Sequence, residues 1–286
     1  MNILVLGATG NTGSVIVNQL KENKADFGIM VNDQSDTSKL GLEENQIRIG
    51  NFDDVASLVA AFQGVEKIYV LTPIHPKVEE WVENIVTAAK EAGVKHLVKQ
   101  SGYKARKDAQ SGSIRVHAIT DELIKNSGLD YTLIQPNMFF QYFYLNLETI
   151  NAEGNFYSCF GDTALSLVDI NDVAAVAVKA LTEDGHSGKT YCLTGPEALT
   201  SAQHAELLTT DSGKQINYVD IPKEALIGAY KQAGLGDWLA VEFGEMFEWF
   251  TVGDYTSVTD TVENVLGRKP RNFTDFSQEL AHSIEK

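Results

Sequence analysis

The chain has 286 residues, enough to bury a sizeable core in one or two domains without disulfide or metal staples. Acids outnumber bases 39 to 23, and unevenly: residues 1–143 carry 14 Lys and Arg against 17 Asp and Glu, residues 144–286 carry 9 against 22. This field argues against nucleic-acid binding and against docking on an anionic membrane, but leaves room for an anionic small molecule in the first half.

The opening MNILVLGATG is apolar, lacks a basic lead and soon meets glycine, so it reads as a first strand, not a signal peptide. Strand-like runs follow at 27–31, 46–49, 67–71, 94–100 and 130–135, with helical periodicity at 14–20, 55–62, 78–92 and 116–126. Strands and helices alternate every ~25–35 residues, the pattern of a parallel sheet built from βαβ units. After about residue 140 helical stretches dominate (172–181, 202–210, 223–233, 238–250), with short strands expected at 165–169, 190–193 and 216–219. No run reaches the ~18–20 apolar residues that span a bilayer. Cys159 and Cys192 have no CxxC partner and read as small core residues in a reducing cytoplasm. The histidines lie apart without zinc spacing, so no metal site is expected.

In such a sheet functional loops lie at the C-terminal ends of the strands. The first is Gly7-Ala8-Thr9-Gly10-Asn11-Thr12-Gly13, a GxxGxxG turn between a strand and a helix. Gly7 permits the tight turn, Gly10 lets a pyrophosphate approach the backbone, and Gly13 lets the helix pack on the sheet. The free N–H groups and helix dipole attract phosphate, and Thr9, Asn11 and Thr12 belong to the same cradle. Asn32 and Asp33 end the second strand, where an acid would hold a ribose hydroxyl. Phe52 and Asp53 end the third and are placed near the adenine, though Asp53 is also a candidate helix N-cap. Leu71, Thr72, Pro73, Ser101 and Pro136 complete the expected cofactor-binding set.

GATGNTG, SGLDYTLIQPNMFFQ, VDINDVAAVAVKAL and GKTYCLTGPEALT together resemble the NmrA-like group of atypical short-chain dehydrogenases/reductases. The resemblance implies binding of NADP or NAD, and includes type 2 NAD(P)H:quinone oxidoreductases, triphenylmethane reductases and dinucleotide-sensing regulators. The group often has Arg where this chain has Asn32, and Arg where it has Gln135, which leaves the choice between NAD and NADP open.

Short-chain dehydrogenases and sugar-nucleotide epimerases use a YxxxK pair on the helix after the fifth strand. Tyr103 and Lys107 match that spacing but follow Ser101 too closely. The helix where the pair belongs carries His117 and Asp121 instead. The catalytic candidates are Tyr103, as a contact to substrate oxygen, and His117, as a proton donor. Lys95, Lys99, Lys104, Arg106 and Lys107 form a basic cluster that can attract an anion or remain a solvated loop. A quinone-like electron sink needs no acid–base dyad, only orientation and a dry pocket. Asn137, with Phe139 and Phe140 from the aromatic run at 139–144, is assigned to that substrate pocket.

The expectation is therefore an α/β protein. A Rossmann-type doubly wound parallel sheet spans residues 1–143. A smaller, mostly helical capping or substrate region spans 144–286, with segments that return to the sheet. The expected function is a cytoplasmic NAD(P)H-dependent reductase of a quinone or similar flat acceptor, acting by direct hydride transfer. The alternatives are a non-enzymatic redox sensor with a protein partner and, third, an epimerase-like enzyme.

Overall fold

The run Ile-Leu-Val-Leu is buried on both faces, as a central strand of a parallel sheet must be. The computed structural model describes residues 1–32 and 35–285. In chain order the first elements are β1 (Ile3–Leu6), α1 (Asn11–Glu22), β2 (Phe27–Val31), β3 (Ile47–Ile49), α2 (Val55–Phe62), β4 (Lys67–Val70) and α3 (Val78–Ala92). Next come β5 (His96–Gln100), α4 (Gly112–Lys125), β6 (Asp130–Pro136), α5 (Leu147–Glu153), β7 (Asn155–Ser158), α6 (Ile170–Thr182), β8 (Lys189–Leu193) and α7 (Ser201–Ser212). The last are β9 (Asn217–Asp220), α8 (Lys223–Gln232), α9 (Asp237–Val252), α10 (Thr261–Leu266) and α11 (Phe273–Ala281).

The contacts group the chain into two compact units. The first is residues 1–107, 116–135 and 170–192. Its sheet runs β3-β2-β1-β4-β5-β6-β8, and the pairs from β3 to β6 are parallel. At the edge, Gly188 donates to Tyr131 and Asn137 to Leu193, so β8 runs in the same direction. Strand alternation sends Leu4, Leu6, Ile68, Val70, Leu97 and Leu133 to one face, where they pack with Leu58 and Phe62 of α2, Ile85 of α3 and Ile124 of α4. On the other face α1 packs on α6, and Gln19 Nε2 donates to the Asn171 carbonyl at 3.1 Å. The chain leaves β1 toward β2 on one side and later enters β4 on the other. The β1/β4 crevice is therefore the topological switch point, where ligands of such sheets bind.

The second unit is residues 108–115, 136–169 and 193–286. It holds a small parallel sheet of β7 and β9 and an aromatic core in which Phe140, Phe143, Phe273 and Phe276 meet at tilted or edge-on angles. Residues 136–143 group with this unit, and residues 170–192, carrying α6 and most of β8, group with the main sheet.

Several local expectations change. Residues 165–169 form no strand, only isolated bridges of Leu165 to Leu199 and Val168 to Phe139. β7 was not anticipated, because Asn155–Ser158 is too short to show alternation. α4 begins at Gly112, not 116, because the carboxylate of Glu242 accepts from the Ser113 N–H at 2.9 Å and its hydroxyl at 3.0 Å. Cys159 and Cys192 are half-buried and form no disulfide. Among the described residues no helix is long and apolar enough to cross a membrane.

Burial holds three histidines far below their ordinary range, His96 to about 4 and His117 and His204 to about 3. The unfolded chain takes up these protons near pH 6.5, whereas the folded chain refuses them until roughly pH 3–4, so stability falls as pH drops through that window. Guanidinium midpoints should decline steadily from pH 7 to pH 4, and less steeply in His96→Gln. Equal slopes for the two proteins would show that His96 is not buried neutral.

Candidate functional site

The glycine turn is set by contacts within the first unit. Gly7 sits at φ +70°, and a Cβ there would lie 2.7 Å from the Leu71 carbonyl oxygen. A Cβ on Gly13 would lie 2.0 Å from the Gly7 oxygen, so α1 approaches β1 at a distance only glycine allows. Gly10 differs: its φ is −82°, and a Cβ there would meet only the Gly7 oxygen, at 3.4 Å. The fold itself does not require glycine at position 10. Gly10 is the N-cap of α1 and offers no side-chain cap, so the helix opens with bare N–H groups toward an exposed surface at Thr9, Gly10 and Asn11. These residues suit a pyrophosphate. Thr12 is buried at 3% exposure, and its backbone N–H belongs to the open first turn of α1.

Beside the turn, Leu71 and Thr72 are half-buried and Pro73 exposed at the end of β4. Asn32 is exposed at the end of β2 and accepts from the Ser35 hydroxyl at 2.8 Å. Asp33 lies outside the described residues. At the end of β3, the α2 cap is Asp54, whose carboxylate accepts from Ala56 and Ser57 N–H. Asp53 instead accepts from Lys77 Nζ at 2.8 Å and Trp81 Nε1 at 2.9 Å, which holds its carboxyl below the usual range. Phe52 packs on Trp81, and His75 stacks on the same indole at 4.4 Å. The surface next to Asp53 thus includes Trp81, His75 and Lys77, which sequence reasoning missed because they come from the loop and helix after a different strand.

The end of β5 holds a buried polar hub. Lys99 Nζ lies 2.9 Å from Asp121 Oδ1, and both side chains are about 95% buried. The other oxygen of Asp121 accepts from the Ser101 hydroxyl at 2.7 Å and from Gln135 Nε2 at 2.9 Å. One carboxylate therefore ties α4 to β5 and β6. Ser101 is corrected accordingly: its hydroxyl proton goes to Asp121 and its N–H to the Ile134 carbonyl, so neither donor is offered to a cofactor. The basic cluster is likewise largely neutralised, with Lys95 on Glu66, Lys99 on Asp121 and Lys107 on Glu122.

His117 stands one turn before Asp121 and packs beside Gly102, whose Cβ would meet its ring at 3.1 Å. Its Nδ1 is buried without a hydrogen bond. Burial and the Lys99 charge push the ring down to about 3, so it is neutral at ordinary pH and is no general acid. Tyr103 is buried at 4% exposure with the Lys104 ammonium 5.2 Å from its ring centre, while Lys107 is held by Glu122. Tyr103 and Lys107 are not brought together as a catalytic pair.

Pro136, of the expected cofactor-binding set, and Asn137, of the substrate set, are both buried. Asn137 is a correction: its amide donates to the Ser166 hydroxyl at 2.9 Å and to the Tyr255 carbonyl at 3.1 Å, so it braces the second unit. Phe140 is another, at 3% exposure between Phe273 and Phe276. Phe139 is half-exposed and stacks on Tyr142 at 6.0 Å.

A profile of the NmrA-like family matches residues 1–278. The chain belongs to the NmrA-like family. It is 35% identical over 276 residues to an NAD(P)H azoreductase of Xenophilus azovorans, covering 96% of each chain. It is 31% identical over 289 residues to a (4-alkanoyl-5-oxo-2,5-dihydrofuran-3-yl)methyl phosphate reductase of Streptomyces griseus, covering 99% of each. The structure of an NADPH-dependent quinone oxidoreductase of Escherichia coli, solved with NADPH, superposes with a TM-score of 0.87 at 27% identity, covering 97% of this chain and 99% of that one.

The polar hub sets a prediction for this NmrA-like chain. Lys99→Met leaves the Asp121 carboxylate buried without its cation and should cost about 3–5 kcal/mol in chemical unfolding. Lys99→Met with Asp121→Leu removes both charges and should recover most of the loss. A double variant no more stable than the single one would show that the pair is not the buried element that matters.

Proposed function

We propose that the protein is an NAD(P)H-dependent oxidoreductase that reduces a flat, electron-accepting small molecule of the quinone or azo type by direct hydride transfer. The observation that carries this reading is the open N-terminus of α1 at Gly10, where glycine is unnecessary for the fold and useful to a ligand. The named relatives, an NAD(P)H azoreductase and an NADPH-dependent quinone oxidoreductase, support the same class of chemistry.

In this reading the first-turn N–H groups of α1 bind the pyrophosphate, with Thr9, Asn11 and the backbone of Thr12 as its border. Leu71, Thr72 and Pro73 bound the neighbouring part of the dinucleotide at the end of β4. Phe52 and Asp53 lie at the adenine side, with Trp81 as an aromatic wall. The bound nicotinamide supplies the hydride. We assign Tyr103 to the acceptor oxygen. The neutral His117 provides no proton, and none is needed from the protein when the acceptor is an electron sink that protonates from water.

Gly10→Arg places bulk where the pyrophosphate binds without meeting the fold. It should keep the wild-type circular dichroism and lose NADPH and NADH binding in calorimetry by at least about 100-fold, the scale of a lost charge-assisted contact set. Retained affinity would refute this placement of the cofactor. The wild-type protein should show saturable oxidation of NADPH or NADH with a panel of quinones and azo dyes. Tight dinucleotide binding with no turnover on any acceptor would overturn the reductase reading in favour of a sensor.

A further inference from the structure

The tip of β2 stands beside the glycine turn. Leu6 pairs in register with Met30, so the end of β2 lies one strand spacing, ~4.8 Å, from the end of β1. The Val31 carbonyl accepts from the Gly50 N–H at 2.9 Å, so Asn32 and Asn51 emerge side by side at the tips of β2 and β3. Both are exposed. In a doubly wound sheet the adenosine ribose of a dinucleotide lies at the end of the second strand, and its 2′ position is read there. NADH carries a hydroxyl at that position and NADPH a phosphate monoester of roughly two negative charges. A hydroxyl is met by a neutral or acidic side chain, whereas the phosphate needs a guanidinium or ammonium.

The cations of this corner are spent elsewhere. Arg48 of β3 turns toward the far end of α2, where its guanidinium donates to the Ala61 carbonyl and, at 2.8 Å, to the Gln63 carbonyl. Lys21 donates to the carbonyls of Leu40 and, at 3.0 Å, Gly41. Lys21 stands in the last turn of α1, roughly 15 Å along the helix from its open end. Its bonds hold the short helical turn Ser38–Leu40, which carries Lys39, toward that distant end. Lys77, from the loop after β4, is paired with the Asp53 carboxylate at 2.8 Å.

The side chains left around the tip are neutral or negative. The Asn32 side-chain oxygen accepts from the Ser35 hydroxyl at 2.8 Å, which orients the amide. Among the described residues of 32–41 the charged side chains are Asp36 and Lys39. The Ser38 hydroxyl and N–H hold the Asp36 carboxyl below its usual range, so it is ionised at neutral pH. A 2′-phosphate at this corner therefore faces an amide and two carboxylates, with Lys77 already paired and Lys39 held toward the other end of α1. We infer that this chain selects NADH over NADPH, with Asn32 as the residue that reads the 2′ position of the ribose. The selection rests on the placement of the dinucleotide at the glycine turn proposed above and is independent of the acceptor. It departs from the Escherichia coli quinone oxidoreductase, which was solved with NADPH.

Calorimetric titration of the full chain with NADH and with NADPH reads the selection directly. NADH should bind at least about 10-fold more tightly. Asn32→Arg puts a guanidinium at an exposed strand end, so it should keep the wild-type circular dichroism. It should raise NADPH affinity at least about 10-fold and leave NADH affinity within about threefold. Asn32→Lys should move NADPH in the same direction by a smaller factor. ADP-ribose and its 2′-phosphate form a second pair of probes that share the ribose and lack the nicotinamide, and they should show the same order in the wild type. NADPH binding as tightly as NADH, or more tightly, in the wild type would overturn the selection and leave the reductase reading standing. A ratio unchanged in both folded cationic variants would show that Asn32 does not read the 2′ position. If neither dinucleotide binds, the placement of the cofactor fails and the selection fails with it. If NADH is preferred but no acceptor is reduced, the reductase reading fails alone.

Discussion

A Cβ on Gly13 would sit 2.0 Å from the carbonyl oxygen of Gly7, and one on Gly7 would sit 2.7 Å from the carbonyl oxygen of Leu71. These two approaches lock the start of α1 against β1 and the end of β4, in the crevice where the strand order reverses. Everything proposed for the dinucleotide depends on that closeness. It places the open end of the helix, with its unpaired N–H groups and positive dipole end, at the mouth of the crevice. Between two glycines demanded by packing stands a third that packing does not demand. The contrast separates the part of the motif that builds the fold from the part left for a ligand.

A second constraint governs the opposite side of the same sheet edge. Asp121 accepts from Lys99, Ser101 and Gln135, and so binds α4 to two neighbouring strands. A buried ion pair is tolerable only when its remaining hydrogen-bonding capacity is met, and here one carboxylate meets three donors. The cost is chemical. Asp121, on the helix where a catalytic tyrosine and lysine would stand, is committed to structure, and the Lys99 charge helps keep His117 neutral.

Much of the first unit was legible. The apolar runs of β1, β2, β4, β5 and β6 and the periodicity of α2 and α3 are local signals, and each element formed close to its expected bounds. Signals that needed a partner were not legible. α4 starts four residues early because Glu242, 129 positions away, accepts from Ser113. Asp53 and Asp54 are adjacent and chemically alike; only the fold shows that Asp54 caps α2 and Asp53 meets Lys77 and Trp81. In the aromatic run after β6 the period could not separate core from surface: Phe140 and Phe143 are core, while Tyr144 is exposed.

By itself the sequence determined the doubly wound sheet, the glycine turn at its switch point and the uneven charge that leaves the sheet half near neutrality. These follow from periodicity, glycine's freedom from a Cβ and simple counting, all properties of residues near one another in the chain. The tertiary structure alone decided which polar side chains remain for chemistry. Ser101, Asn137, Lys99 and Asp121 are the residue types a site would use, yet each is spent on a partner. A polar group's availability depends on whether folding has already satisfied it, and that is settled by contacts between residues far apart in the chain.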